Sequence, residues 1–381
     1  MDMIRVCEPD ISDIEKVFVM QALDENELSG HGRHVKEFEQ KFAEVCKRKY
    51  CVMVPNGTIA IHLALAVLGI KPGDEVILPS QTISCCAFAV TALGATVVPV
   101  DVTRENWTMS ANDLKNAIGP KTRAVIPTPV FAGVSPNIDD ILEVCNNSRA
   151  EDEEHIHVIV DFAEAIGSTY NGRPIGSYGI MSTCSFFANK TIQTGEGGAV
   201  LTDSNFVYER LRFIRNNAYG NDIETRFLAS AQGYNYRPHN LMAAIGLGQL
   251  SKMDYLIERR LKIHELYKQN LHESFVWQKY SRNQVPVPWM NTVLVPVGVN
   301  RRKFMEYMAE NGIETRPTFP PIGSHPYLRD MGLVRERSEA ISEIIWENGV
   351  IFPSGGRALT REVILKICEL ANEYAMEHDA L

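Results

Sequence analysis

From residue 50 to residue 190 the hydrophobic pattern switches period repeatedly, and this alternation restricts the fold more than any other feature of the chain. "YCVMVP" (50–55) is an apolar run of strand length. It leads through Asn56-Gly57-Thr58 into "IAIHLALAVLGI" (59–70), which has helical character. "DEVILP" (74–79) and "TISCCAFAVTALG" (82–94) repeat the strand–helix pair, and "TVVPVD", "RAVIPTPV", "HIHVIVDFA" and "CSFFA" supply further strands. Short strands alternating with longer helical segments imply an α/β fold, with a mostly parallel central sheet flanked by helices. Ligands of such sheets collect outside the carboxyl ends of the strands. Asn56-Gly57-Thr58, Asp161 and Lys190 all fall at or just past an expected strand end.

The flanking regions have a different texture. Residues 12–45 read as two helices, "SDIEKVFVMQAL" after a Ser12 cap and "VKEFEQKFAEVC", joined by the turn-rich "DENELSGHGRH". Residues 241–274 form one continuous helical pattern of the kind that bridges domains. Its Gly246-Leu247-Gly248 lies mid-helix and is no dinucleotide loop. "NTVLVPV", "RRKFMEYMAENGI" and a last helix from Thr360 suggest a smaller α+β unit. The expected division is a large domain, 1–250, and a small C-terminal domain, 251–381, since 381 residues exceed one small core.

A net charge of −9 argues against a nucleic-acid binder, which would need a basic face, and leaves room for a local basic patch that meets a phosphorylated ligand. The first ten residues lack a signal peptide's apolar core, and no apolar run approaches the roughly 18 residues of a membrane span. Eight scattered cysteines without a CxxC pair read as small buried hydrophobes in a reducing compartment. The ten histidines form no HExxH motif, and no metal site is expected. The expectation is a cytoplasmic protein with no nucleic-acid or membrane partner.

"SFFANKTIQTGEGGAVLTD" (185–203) carries the chemistry. Lys190 stands between an aromatic strand end and a turn with glycines at 195, 197 and 198. It is either a surface lysine beside a hairpin or a nucleophilic amine held against a carbonyl cofactor. Pyridoxal phosphate (PLP) would need that amine, a carboxylate against its ring nitrogen, and donors for its phosphate. Asp161, ending the apolar "VIVD", supplies a carboxylate that calls for a cationic partner, although it also reads as a helix N-cap. Asn56-Gly57-Thr58 before a helix offers N–H groups and a hydroxyl, and Ser185 offers a second hydroxyl.

Taken in order, "NGTIAIHLAL", "GIKPGDEVILPS", "GATVVPVDV", "VDFAEAIGSTYNGRPIGSYG", "SFFANKTIQTGEGGAVLTD" and "GYNYRPHNLMAAIGLGQL" resemble the DegT-type sugar aminotransferases. These are PLP enzymes of fold type I, in the aspartate aminotransferase superfamily, and the likeness is greatest to the perosamine-synthase-like branch that aminates C4. The resemblance implies that Lys190 is the Schiff-base lysine and that Asp161 faces the pyridinium nitrogen. It implies that Glu164 lies near the ring hydroxyl and that Gly57, Thr58 and Ser185 hold the phosphate. Asn235 would reach the phosphate of the neighbouring subunit in a homodimer with shared sites, the alternative being a cap on its own helix. The implied reaction moves an amino group from L-glutamate to a nucleotide-linked 4-keto-6-deoxyhexose, giving an amino sugar for polysaccharide or glycan assembly. Another keto sugar (a keto-octulosonate or a 3-keto sugar), a PLP-dependent sugar dehydratase and a non-catalytic regulator are the alternatives. Dehydratase relatives replace the lysine by histidine. Two departures stand out: Ile83 occupies the place of an aromatic that stacks on the cofactor, and "PTPVFAG" (127–133) replaces the usual "PVHLYG".

Overall fold

The computed structural model describes residues 3–131, 138–150, 155–220 and 222–378. β1 (Tyr50–Val54), β2 (Glu75–Pro79), β3 (Thr96–Val100), β4 (Thr122–Val125) and β5 (His157–Asp161) fall where the apolar runs predict them. The two-residue strands β6 (Thr169–Tyr170) and β7 (Arg173–Pro174) precede β8 (Met181–Ser185) and β9 (Gly198–Thr202). Seven of these make one sheet in the order β1-β9-β8-β5-β4-β2-β3. β8, β5, β4, β2 and β3 run parallel, and β9 runs antiparallel to both its neighbours. The reversal was not anticipated from the sequence. Residues 186–197 contain no crossover helix, so β9 can pair beside β8 only by turning back.

Both faces of this sheet are buried, as the continuous apolar strands require. In β1, Cys51 and Met53 join a cluster with Phe38, Phe42 and Phe186, while Val52 and Val54 join one with Ile61 and Leu63. The Gly57–Val67 helix covers the second face and starts at the carboxyl end of β1. At the N-terminal helix, Asp13–Asp24, Glu15 accepts from both the N–H and the hydroxyl of Ser12.

The long helical pattern after residue 240 is two helices, Asn240–Ser251 and Met253–Asn270. Lys252 leaves helical torsions (φ −119°, ψ 21°) between them, and its ammonium is tied to Asp10 and Glu15. Those contacts anchor the break against the N-terminal segment. Beyond it, β10 (Val276–Trp277), β12 (Asn291–Leu294), β14 (Gly349–Phe352) and β13 (Arg316–Pro317) form a second, antiparallel sheet in that order. β11 (Gln284–Val285) pairs instead with β6. The second sheet has its own apolar cluster, with Tyr267, Phe304, Phe352 and Ile367 at its centre. No helix among the described residues is long and apolar enough to cross a membrane.

Candidate active site

A cavity of about 500 Å³ opens where β1, β5 and β8 end. One wall carries Asn56, Gly57, Thr58, Asp161, Ser185 and Lys190; the opposite wall carries Met290, Arg316, Pro317, Phe319 and Ile351 from the C-terminal part. Ile83 and Glu164 also line it. Of the eight expected site residues, only Asn235 stands elsewhere.

Local packing explains the polar wall. The Asn56 side chain accepts from the Ile59 N–H, capping the helix. The amides of Gly57 and Thr58, in the helix's first turn, have no intrahelical acceptor and remain for a ligand. A side chain at Gly57 would put its Cβ 2.8 Å from the Cβ of Ser185, so this glycine is what lets β8 approach the helix start. Gly198 is equally constrained: it pairs with both Val54 and Ser185, and a Cβ there would lie 2.5 Å from the Asn56 carbonyl. The result is a cradle of amides and hydroxyls.

Asp161 is buried at the end of β5, 4% exposed. Its Oδ1 accepts from the Ala163 N–H at 3.2 Å, and the Cys86 thiol donates to Oδ2 at 3.6 Å. The helix-cap reading does not hold within the chain. A turn rather than a helix follows Asp161, so it is no helix cap, and among the described residues no cation comes within ion-pair distance. Burial therefore raises its pKa to about 6, against the lowering effects of the Ala163 N–H and the more distant Lys190 charge.

Lys190 is 7% exposed, which removes the surface-lysine reading. Its Nζ lies 3.3 Å from Glu164 Oε1 and 3.7 Å from the centroid of the Trp289 ring. Glu164 Oε2 accepts from the Phe131 N–H at 2.9 Å, and burial raises this carboxyl's pKa while Lys190 opposes the rise. The "PTPVFAG" segment thus has a backbone role. Phe131 adopts φ +64° and buries its ring against Trp107 and Phe319; residues 132 and 133 lie outside the described residues. Gly195, at φ +84°, makes the turn expected after the lysine.

Asn235 is exposed, and it is not the helix cap: His239 accepts from the Met242 N–H in that role. Tyr234 and Tyr236 stack on one another and both receive the edge of buried His62. In an extended segment alternate side chains share a face, so Asn235 points away from the body of its own chain.

Sequence reading passed over Trp289 and Met290, whose apolar neighbourhood carries no motif. Arg316 lines the cavity, bonded to Glu314, whereas Arg33 pairs with Glu25 and His31 lines a separate pocket with Arg212, Arg215 and Arg237.

The donor set fits PLP. The buried Asp161, with no cation in ion-pair reach among the described residues, suits a ring nitrogen that carries a proton, the cradle suits a phosphate, and Lys190 lines the same cavity.

The comparisons agree with this geometry. The chain is 36% identical over 374 residues to a GDP-perosamine synthase of Escherichia coli O157:H7, covering 98% of this chain and 99% of that one. It is 32% identical to one of Vibrio cholerae, with the same coverage. Among solved structures it matches DesV of S. venezuelae with a TM-score of 0.85 at 28% identity, covering 95% of this chain and 94% of that one. TlmJ, an aminotransferase of Streptoalloteichus hindustanus, matches with a TM-score of 0.89 at 24% identity, over 98% of this chain and 99% of that one. The family model matches residues 9–371, and this chain belongs to the DegT/DnrJ/EryC1/StrS aminotransferase family.

Proposed function

We propose that this PLP-dependent aminotransferase moves an amino group from L-glutamate to the keto carbon of a GDP-linked 4-keto-6-deoxyhexose, making an amino sugar for glycan assembly. The observation that carries the proposal is the buried Lys190 amine lining one cavity with Asp161 and the Gly57–Ser185 cradle, in a chain 32–36% identical to GDP-perosamine synthases. The lysine also sets the dehydratase reading aside.

PLP, when bound, supplies an electron-poor ring that takes up the electron pair left at the substrate's amino carbon. The chain's own residues do the rest. Asp161 keeps the ring nitrogen protonated by offering a charged acceptor in a dry site. Lys190, once its amine is free, is the base that takes a proton from the amino carbon and later returns one. Glu164 receives the ammonium that results, and the Phe131 amide keeps that carboxylate in place. Gly57, Thr58 and Ser185 would hold the phosphate, and Ile83 would cover the ring by dispersion. Arg316 would meet an anionic group of one substrate.

The proposal includes a homodimer whose sites each borrow Asn235 from the neighbouring chain. Its support is the outward aim imposed by the Tyr234–Tyr236 pair. Two domains, 1–250 and 251–381, are part of the same reading, supported by the break at Lys252 and the separate C-terminal core.

A panel of GDP-, UDP- and TDP-linked keto sugars, each incubated with glutamate and read by mass spectrometry, tests the substrate. Amination of the GDP-linked 4-keto sugar well ahead of the others is expected, and preference for a 3-keto or non-GDP sugar refutes it. Mixing Lys190→Ala chains with Asn235→Ala chains tests sharing. A heterodimer that collects both lesions in one site leaves the other intact, so activity should rise above either parent. An active monomer in sedimentation refutes the shared site.

A further inference from the structure

Around Lys190 the structure closes a ring of contacts that reaches from residue 131 to residue 289. The Trp289 N–H donates to the Phe131 carbonyl at 2.7 Å, and the Phe131 N–H holds Glu164, the carboxylate that receives Lys190. The Trp289 indole N–H donates to the Asn189 carbonyl at 2.9 Å. Arg260, 7% exposed, donates to the carbonyls of Asn189 (3.1 Å), Lys190 (3.0 Å) and Trp289, and pairs with no carboxylate among the described residues. Every polar group of Trp289 is therefore committed, and the ring, 5% exposed and stacked on Phe319, cannot swing away without breaking its indole bond to Asn189 and leaving that stack. Its face is presented to the Lys190 ammonium at 3.7 Å.

We propose that Trp289 is a positioning residue that holds the free amine of Lys190 in its charged form, with Arg260 fixing the register of ring and lysine. An aromatic face attracts an ammonium and has no comparable attraction for a neutral amine. The contact therefore strengthens as Lys190 takes up a proton, the step asked of it above, and is stronger at the end of that transfer than at its start. It also confines a long side chain that would otherwise sample many rotamers. Glu164 faces the same ammonium from the other side; Asp161 and Cys85 feel its charge from the cavity wall, and Arg260 lies behind its carbonyl. This inference rests on Lys190 being the reactive amine.

The test grades the ring's charge distribution without changing its shape. Nonsense suppression would place mono-, di- or tetrafluorotryptophan at position 289. The apo-protein is then exposed to a trace of an acetylating ester at one fixed pH, and acetylation of Lys190 is counted by peptide mass spectrometry. Loss of the contact makes the amine more often neutral, so labelling should rise stepwise, on the order of tenfold at the tetrafluoro ring. Turnover of the loaded enzyme should fall in the same order. Labelling that stays flat across a series of proteins with unchanged melting temperature overturns the proposal, because a purely structural tryptophan would give that result. Trp289→Leu provides a second reading, with labelling at least as high as the tetrafluoro protein expected and wild-type labelling again refuting. The labelling needs no cofactor, so it stands apart from the Lys190→Ala experiment that decides whether this lysine is the reactive one.

Discussion

Changing Asp161 to asparagine separates what the carboxylate costs the fold from what it does for the reaction. Burial raises the pKa of Asp161 from 3.8 to about 6. A carboxyl with a raised folded-state pKa favours folding fully below its unfolded value and loses that advantage as pH rises through the folded value. The difference of 2.2 units corresponds to about 3 kcal/mol of lost stability in the apo-protein above pH 6. Asparagine does not titrate, keeps an oxygen for the Ala163 N–H, and removes that penalty. With an unfolding entropy of roughly 2.1 cal/mol/K per residue, 3 kcal/mol spread over this chain is about 4 °C in melting temperature. Calorimetry of the apo-protein at pH 8 should therefore show Asp161→Asn melting about 4 °C above wild type. At pH 5 the gap should narrow to roughly half, since about half of the penalty remains there. Turnover should move the other way, falling at least about a hundredfold, as when one preorganised electrostatic partner of a reaction is removed. A variant that melts at or below wild type at pH 8, or a gap that does not change with pH, refutes the argument that this carboxylate is an unpaired buried charge.

Lys190→Ala should give a folded protein with no borohydride-trappable cofactor and no turnover, and Lys190→Arg should fail equally, because guanidinium stays protonated and cannot act as the amine; a trapped adduct in either variant refutes the assignment. Gly57→Ala forces a 2.8 Å approach to Ser185 and should cost about 1–3 kcal/mol of stability. Equilibrium titration should show it weakening PLP at least tenfold while affecting phosphate-free pyridoxal much less; equal losses for both ligands would remove the phosphate cradle from this glycine. Ile83→Phe restores a flat ring on the cavity wall and should slow cofactor dissociation several-fold, by the roughly 0.5–1.5 kcal/mol of an aromatic pair; unchanged dissociation in a stopped-flow chase would show that position 83 does not cover the ring.

What the sequence revealed and what it hid follow from the range of the interactions. Strand and helix periods, the Asn56 cap, the Gly57 approach and the lysine turn depend on neighbours a few residues apart, and their signatures are local. The antiparallel β9 left no such mark, because "GGAVLT" looks the same in either direction until its pairing with β1 and β8 is known. Trp289 was invisible for the same reason. Its partners are Phe131, Asn189, Lys190 and Arg260, and nothing in "PVPWMN" distinguishes an indole aimed at an amine from one packed in a core. Asp161 illustrates the converse. Its position at a strand end was legible, but that no cation of the chain stands beside it among the described residues depends on distant neighbours and left no local mark.

The charges on the cavity wall extend that point. Asp161 and Glu164 are both buried, and burial works against the charged form of each; Lys190 and Arg316 are the cations among the described lining residues, with Arg316 committed to Glu314. A phosphate in the Gly57–Ser185 cradle would therefore be met by amides, hydroxyls and the start of a helix, with no Lys or Arg of the same wall except Lys190, which is turned toward Glu164 and Trp289. Such a site gains less from long-range attraction than from fitted donors, and each missing donor leaves a phosphate oxygen without its fitted partner. An additional donor arriving from outside the chain would then count for more than one in a site already rich in arginine. The exposed Asn235, turned outward by the tyrosines on either side of it, has the chemistry to be that donor. If the proposed dimer brings Asn235 to its neighbour's cradle, cofactor retention should weaken as the protein is diluted until that dimer dissociates, by the same mass action that couples ligand binding to assembly.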